Sequence, residues 1–331
     1  MSDSKDHTFV PPSVDDMPIE DTQLPVEPKQ LSTLGGFLAG GVAACGAVTV
    51  TNPIELIKTR MQLQGELAAR GEVKKVYTGL FQGLVTIIKH EGILGIQRGL
   101  FAAYIYQIGL NGCRIGLYEP LRNILNPLWG LKLDAQSIPV NVVAGAGSGI
   151  MGAIMGSPFY LVKTRMQSYS PVFQIGAQTH YKSVWHALKT VYRAEGFRGL
   201  YRGVDAAILR TGAGSSVQLP IYYHTKKLIE HYDIPDGPIR HFGASAASGL
   251  GVCIVMNPWD VLMTRMYNQK GNLYKNPIDC LIKTVSIEGP LALYKGFIPH
   301  LMRIGPHTVI MLMFMEQTMR WAKMLEGVPL D

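Results

Sequence analysis

The sequence is poor in charged residues and in cysteine. Asp, Glu, Lys and Arg make up 17% of its 331 residues, whereas about 25% is usual in soluble domains. The four cysteines are spread along the chain, with no C-x-x-C pair and no histidine cluster at metal-ligand spacing. These shortages exclude a disulfide scaffold and give no reason to expect a bound metal.

Common enzyme signatures are also missing. The chain has no P-loop, no G-x-S-x-G, no H-E-x-x-H and no paired catalytic carboxylates, which are the motifs that place the reacting groups in several large enzyme classes. We therefore predict no enzymatic activity and no cofactor, and we expect no nucleic-acid partner. A soluble enzyme stays the alternative from a different class, and solubility without detergent is the observation that would favour it.

Apolar residues are abundant and gather in long uncharged runs. Hydrophobic residues make up 47% of the chain, and the longest uncharged runs cover residues 30–54, 135–162 and 241–259. About 20 apolar residues suffice to cross the core of a bilayer as a helix. The runs therefore predict membrane spans rather than the interior of a soluble protein.

The first thirty residues have a different composition. Residues 1–30 carry seven acidic and two basic side chains together with five prolines. Such a segment cannot bury enough apolar surface to fold, so we predict a disordered acidic tail. It has neither the apolar core of a secretory signal nor the arginine-rich composition of a mitochondrial presequence.

An internal repeat organises the remainder of the chain. The segment that begins at Pro53 returns at Pro158 and at Pro258, and each copy ends in Thr-Arg-Met. Each is followed by Glu-Gly and then by a basic residue and a glycine. The prolines lie 105 and 100 residues apart, so the chain consists of three copies of one module of about 100 residues.

Each module contains a second apolar stretch after the basic-Gly landmark. These stretches cover residues 99–121, 204–226 and 297–320, and they are interrupted by Arg114, Arg210 and Arg303 respectively. Two spans in each of three modules predict six membrane-spanning helices, with both termini on the same side.

The charge of the loops distinguishes the two sides of the membrane. Loops 58–98, 163–202 and 263–295 together carry nineteen Lys and Arg against six Asp and Glu. The opposite loops, 119–140 and 226–240, have equal numbers of each sign. This asymmetry follows the positive-inside rule for membrane proteins.

The triplicate Pro-x-acid-x-x-basic-x-basic pattern, with its Glu-Gly and basic-Gly landmarks, resembles the mitochondrial carrier family. The resemblance implies an all-α fold of six transmembrane helices with threefold pseudosymmetry and a short matrix-side helix in each repeat. It divides the chain into a tail, 1–30, and carrier repeats 31–130, 131–235 and 236–331. It also implies a monomer in the mitochondrial inner membrane, with the basic loops in the matrix and both termini toward the intermembrane space.

The motif itself has a physical reading. Proline kinks a helix, and an acid two residues after it lies on the same helical face as a base five residues after it. Three such helices in a ring can close a pore by pairing acids with bases. The family connectivity implies a matrix gate in which Glu55 pairs with Lys163, Asp260 with Lys58, and Tyr160 with Met263. Tyr160 and Met263 have both lost their charge, so neither is left as an unpaired buried ion.

Further positions are implied by the resemblance alone. Residues that would brace the gate from beneath are Gln62, Gln167 and Tyr267. Residues of an outer gate are Glu119, Arg122, Lys226 and Glu316. Glycines at helix starts that would bind the phosphates of cardiolipin are Gly99, Gly203 and Gly296.

The arginines within the apolar stretches indicate the transported substrate. A charge inside a span is costly and usually faces a water-filled cavity, and the guanidinium fork suits carboxylate or sulfate oxygens. Gln107, Asn111 and Arg114 follow one another at i, i+4 and i+7, which would place them on one helix face. The predicted substrate residues are Gln107, Asn111, Arg114, Arg210, Thr211 and Arg303.

Arg-Thr at 210 and 211 resembles the keto-acid and dicarboxylate branch of the family. The strings 104–112 and 209–220 resemble members that carry oxaloacetate, sulfate and related dicarboxylates such as malonate. A small dianion is therefore the expected substrate. An uncoupling-type proton or anion conductor and another keto-acid or dicarboxylate carrier stay open as alternatives, whereas a nucleotide carrier is disfavoured by Arg210 and Thr211.

Overall fold

A computed structural model describes residues 31–68, 75–132, 137–213 and 238–327, together with residues 221, 225 and 228. The acidic tail predicted for residues 1–30 lies outside this part. Throughout the described residues the secondary structure is helical, with turns and no strand. The helices are α1 (Thr33–Leu63), α2 (Leu80–Glu91), α3 (Leu100–Gln107), α4 (Cys113–Gly116), α5 (Tyr118–Leu128), α6 (Ile138–Ser168), α7 (Val184–Leu200), α8 (204–213), α9 (Pro238–Asn268), α10 (Pro277–Glu288) and α11 (Phe297–Glu326).

The predicted threefold plan is confirmed. Helices α1, α6 and α9 are the first span of each repeat, and each is 31 residues long with its motif proline inside. At 1.5 Å per residue each measures about 46 Å, which exceeds the ~30 Å hydrocarbon core. The Thr-Arg-Met end of each helix therefore extends beyond the bilayer core on the side of the basic loops.

The second span of each repeat has an arginine within its apolar stretch. These spans are formed by α3 to α5, by α8 and by α11, and Arg114, Arg210 and Arg303 interrupt their apolar character. By length and composition alone, only α1 and α6 among the described helices are apolar enough to cross a bilayer. The second spans are identified by their place in the repeat, because the arginine in each of them lowers its mean hydropathy.

A short helix follows each first span, as predicted. Helices α2, α7 and α10 have apolar side chains on both of their faces. One face is buried, whereas the other exposes large side chains that include Phe81, Val85, Trp185, Tyr192, Ile278 and Ile282. A helix that exposes apolar side chains in this way suits the boundary between lipid tails and headgroups.

The second span departs from a regular α-helix. Residues Ile108–Gly112 form a π-helical turn between α3 and α4. Close packing surrounds this turn: a Cβ added at Gly41 would lie 3.2 Å from Ile108, and one added at Gly152 would lie 2.6 Å from the carbonyl oxygen of Leu110. The two glycines therefore let α1 and α6 approach the wider turn from both sides.

Candidate functional site

Two buried ion pairs join the first spans near their basic ends. Lys58 Nζ lies 2.5 Å from Asp260 Oδ2, and Lys163 Nζ lies 2.7 Å from Glu55 Oε1. Each of the four side chains is at most 13% exposed. The pairs connect α1 with α9 and α1 with α6, so the structure brings together the charged residues of the predicted matrix gate.

Two of the predicted substrate arginines each contact one of these two carboxylates. Arg210 Nε donates to Asp260 Oδ1, and Arg303 Nη1 lies 3.6 Å from Glu55 Oε1. Asp260 therefore contacts cations from repeats 1 and 2 at once. The cluster is Lys58, Lys163, Arg210, Arg303, Glu55 and Asp260, with four cations and two carboxylates. Its formal charge is therefore positive by two.

Two polar atoms of this cluster have no partner. Glu55 Oε2 and Arg303 Nε are buried and make no hydrogen bond within the described part of the chain. A buried donor or acceptor without a partner costs about 1–3 kcal/mol. The free N–H of Arg303 is therefore suited to water or to an anionic ligand.

His300 belongs to the same cluster, although sequence reasoning missed it. Its Nδ1 lies 3.1 Å from Asp260 Oδ2 and 3.3 Å from Asn257 Oδ1, and the residue is 1% exposed. The sequence gives little signal for this residue beyond its position three places before Arg303, which puts both on one helix face. With His300 from repeat 3, Asp260 contacts side chains of all three repeats.

The uncharged gate positions share a small cavity. Tyr160 and Met263 both line a space of about 20 Å³, which is room for one water molecule. Arg210 and Thr211 line the same cavity, and Thr211 Oγ1 donates to the carbonyl oxygen of Ala207 at 2.8 Å. Thr211 thus lies beside Arg210, as the sequence suggested.

The three predicted brace residues each bond to a neighbouring first span. Gln62 Oε1 accepts a hydrogen bond from Thr264 at 2.7 Å. Gln167 Oε1 accepts one from Thr59 at 3.2 Å, and its amide donates to Asn52 at 3.0 Å. The hydroxyl of Tyr267 lies 2.8 Å from that of Ser157. These bonds tie the ends of α1, α6 and α9 into a closed ring.

A second ring of ion pairs supports the first, and its role was not predicted. The arginine of each Thr-Arg-Met binds the glutamate of the following Glu-Gly. The pairs are Arg60 with Glu91 at 2.5 Å, Arg165 with Glu195 at 3.0 Å and Arg265 with Glu288 at 2.6 Å. The repeated landmarks were the available signal, since a Glu-Gly follows the Thr-Arg-Met in all three modules.

Two arginines of this ring also donate hydrogen bonds to the neighbouring repeat. Arg60 Nε donates to the carbonyl oxygen of Gln167, and Arg165 Nε donates to that of Tyr267, where basic groups suit the carbonyl end of a helix. Burial acts to raise the pKa of the Glu288 carboxyl, but Arg265 and Lys295 hold that pKa below its usual range. The ring therefore carries fixed charges at the end of the molecule where the basic loops lie.

The three glycines predicted to bind lipid have a structural role of their own. Gly99, Gly203 and Gly296 have φ angles of 79°, 93° and 75°, in the left-handed region that other residues avoid. A Cβ added at Gly99 would lie 3.0 Å from Gln167, and one added at Gly296 would lie 3.2 Å from Gln62. These glycines therefore let the second spans begin directly against the brace residues.

The predicted outer-gate residues do not join different spans. Glu119 lies 3.9 Å from Arg122 in α5, and Glu316 lies 2.6 Å from Arg320 in α11. Both pairs are local to one helix, and Lys226 lies outside the described residues. Among the described residues, the ion pairs that join different spans are therefore the ones near the basic loops.

Gln107, Asn111 and Arg114, which the spacing predicts on one helix face, differ in their exposure. Gln107 and Asn111 are buried, and the amide of Asn111 donates to Gln107 at 3.1 Å. Arg114 is exposed, and no ion pair among the described residues includes it. A π-helical turn lies between Gln107 and Arg114, and its one extra residue rotates the following side chains by about 100° relative to a regular α-helix.

Comparison with known proteins agrees with this threefold arrangement. The family model described as "Mitochondrial carrier protein" matches residues 29–128, 134–233 and 235–325. The chain is 60% identical to the mitochondrial oxaloacetate transport protein of Saccharomyces cerevisiae, an alignment that covers 90% of this chain and 93% of the relative. It is 55% identical to the Schizosaccharomyces pombe protein of the same name, over 89% of this chain and 92% of the relative.

Another similar protein is named for a different substrate. The chain is 53% identical to mitochondrial citrate transporter E of Aspergillus niger, over 89% of this chain and 96% of the relative. All three relatives are named as mitochondrial transporters, and the family model is matched once by each repeat. With its six transmembrane helices in three repeats, the chain belongs to the mitochondrial carrier family.

Proposed function

We propose that this protein transports small dianions, with oxaloacetate, sulfate and malonate-like dicarboxylates as substrates, across the mitochondrial inner membrane by alternating access. The observation that carries the proposal is the buried cluster of four cations and two carboxylates. Its surplus of two positive charges equals the charge of one dianion. A buried surplus of positive charge is costly unless a negative charge compensates it. The cluster therefore favours an anionic ligand that carries two negative charges.

The names of the relatives support this class of substrate. Two proteins at 60% and 55% identity are named for oxaloacetate, which carries two carboxylates, and one at 53% identity is named for citrate, which carries three. Citrate is therefore the second candidate substrate. A third carboxylate would need a further cation, and the exposed Arg114 on the second span is a candidate.

Substrate binding and gate opening would compete for the same side chains. Arg210 pairs with Asp260, and Arg303 lies beside Glu55. An incoming dianion attracts both arginines and both lysines of the cluster, and it repels the two carboxylates. Binding energy would thus be spent on breaking the gate pairs, as transition-state stabilisation by a carrier requires. Lys58 and Lys163 are then the residues that release the matrix end.

Cardiolipin is proposed as a lipid partner. A cavity of about 780 Å³ separates the end of α1 from the start of α11 and is lined by Lys75, Gly79, Lys295 and Gly296 among others. Two lysines beside a helix start provide charge and amide donors for phosphate groups. We further propose that the protein acts as a monomer, with both termini toward the intermembrane space.

Counter-exchange in vesicles tests the proposed function. Purified protein is reconstituted, the vesicles are loaded with oxaloacetate or sulfate, and uptake of labelled sulfate is measured. We expect exchange with oxaloacetate, sulfate and malonate, weaker exchange with citrate, and none with ATP or basic amino acids. Faster uptake of ATP than of any dicarboxylate would overturn the proposal.

The same vesicles separate an exchanger from an uncoupling-type conductor. Loaded vesicles should take up labelled sulfate much faster than empty ones if the protein is an exchanger. Equal uptake by empty and loaded vesicles, together with proton flux in the absence of substrate, would favour the conductor.

A further inference from the structure

A row of three tyrosine rings occupies the place of the third gate pair. Tyr106, Tyr160 and Tyr267 come from three different repeats. The centroid of the Tyr160 ring lies 4.9 Å from that of Tyr106 and 4.9 Å from that of Tyr267, with the rings inclined by 63° and 58°. Inclined rings at this separation attract each other. The row therefore joins the three repeats where an ion pair is missing.

Lys163 lies against two of these rings. Its Nζ is 5.4 Å from the ring centroid of Tyr106 and 5.4 Å from that of Tyr160. The same nitrogen lies 2.7 Å from Glu55, and the lysine side chain is 2% exposed. A cation within about 6 Å of a ring centroid is attracted by the ring, and more strongly where water is excluded. The ammonium therefore has one carboxylate partner and two aromatic partners.

We propose that Tyr106 and Tyr160 are positioning residues of the matrix gate, whose rings hold the Lys163 ammonium toward Glu55 while the matrix end is closed. The rings would thus supply part of the closing force that an ion pair between positions 160 and 263 would supply in a complete ring. This inference rests on the proposed function, since the gate is part of it. It concerns the ring face and not the hydroxyl, so phenylalanine can replace tyrosine at either position.

The chemistry of the substitutions separates this role from simple packing. Tyr160→Phe keeps the aromatic face and should preserve the closed gate. Tyr160→Leu keeps an apolar side chain of moderate size but removes the face. If the ring acts on the ammonium, the loss of stability caused by Tyr160→Leu should be smaller once Lys163 has been replaced by methionine, because only the contacts with the Tyr106 and Tyr267 rings are then lost. A packing role would leave that loss unchanged.

The experiment measures the melting temperature of purified, substrate-free protein in one detergent. The variants are Tyr160→Phe, Tyr160→Leu, Lys163→Met and the double variant Tyr160→Leu with Lys163→Met. We expect Tyr160→Leu to lower the melting temperature by about 4–8 °C, Tyr160→Phe to change it little, and Tyr160→Leu to lower it clearly less when Lys163→Met is already present. A full additional loss in the double variant, or equal losses for Phe and Leu, would overturn the inference.

A second position keeps the test decisive if Lys163→Met does not fold. Tyr106→Phe and Tyr106→Leu are then compared in the same way, because Tyr106 presents its ring to Lys163 from another span. An unchanged melting temperature with Tyr106→Phe and a lower one with Tyr106→Leu would support the inference. An equal decrease with both variants would contradict it. The measurement uses no substrate, so its failure would leave dianion exchange intact, and failed exchange would leave the melting result intact.

Discussion

Replacing Asp260 by asparagine is expected to lower the free energy of unfolding by about 3–5 kcal/mol and to abolish transport. The change removes the carboxylate that Lys58 and Arg210 share, and it leaves two buried cations without their partner. Thermal melting in detergent measures the stability, and sulfate exchange in vesicles measures the transport. Adding Lys58→Met should restore part of the stability, because one of the unpaired charges is then gone.

An aspartate on the matrix surface provides the control. Asp279 pairs with Lys283 on the surface of α10, four residues away, and exposed pairs contribute little to stability. Asp279→Asn should therefore leave melting and exchange almost unchanged. If Asp260→Asn were as mild as Asp279→Asn, Asp260 would not hold the spans together.

Replacing Arg210 by lysine is expected to slow sulfate exchange by roughly 10- to 150-fold. Lysine keeps the positive charge but loses the planar fork that binds carboxylate or sulfate oxygens. A lost hydrogen bond to a charged group is worth about 1.5–3 kcal/mol, and each ~1.36 kcal/mol corresponds to a factor of ten in rate. Initial rates of labelled sulfate uptake at several concentrations measure the effect.

Two other arginines calibrate this result. Arg193→Lys, on the exposed side of α7, should leave the rate unchanged. Arg114→Lys should have a smaller effect than Arg210→Lys, because Arg114 is exposed and outside the cluster. Equal losses for Arg114 and Arg210 would show that the site extends to Arg114. No loss for Arg210→Lys would remove Arg210 from the substrate site.

The repeat and the loop charges made the fold predictable. A pattern that returns after 105 and 100 residues fixes three equivalent modules, and the same register then identifies Glu55, Lys58, Lys163 and Asp260 as gate positions. Because the acidic and the basic position are each fixed within the repeat, the pairing of α1 with α6 and α9 follows from the family connectivity. The structure has these contacts.

Contacts that break the symmetry could not be predicted in this way. Arg210 and Asp260 lie fifty residues apart in different repeats, and neither spacing nor charge shows that they touch. The π-helical turn depends on glycines of two other helices, Gly41 and Gly152, which approach it from either side. The burial of His300 beside Asp260 likewise arises from packing, since one histidine in an apolar stretch gives little signal.

The most direct test of the central claim is whether the site requires a second negative charge. Malonate and its monomethyl ester have similar skeletons, but the first carries two charges near neutral pH and the second carries one. Each is added at increasing concentration to vesicles that exchange labelled sulfate. A site with two surplus positive charges predicts that malonate inhibits at concentrations at least tenfold lower than the ester does. Equal inhibition by the two compounds would contradict the account.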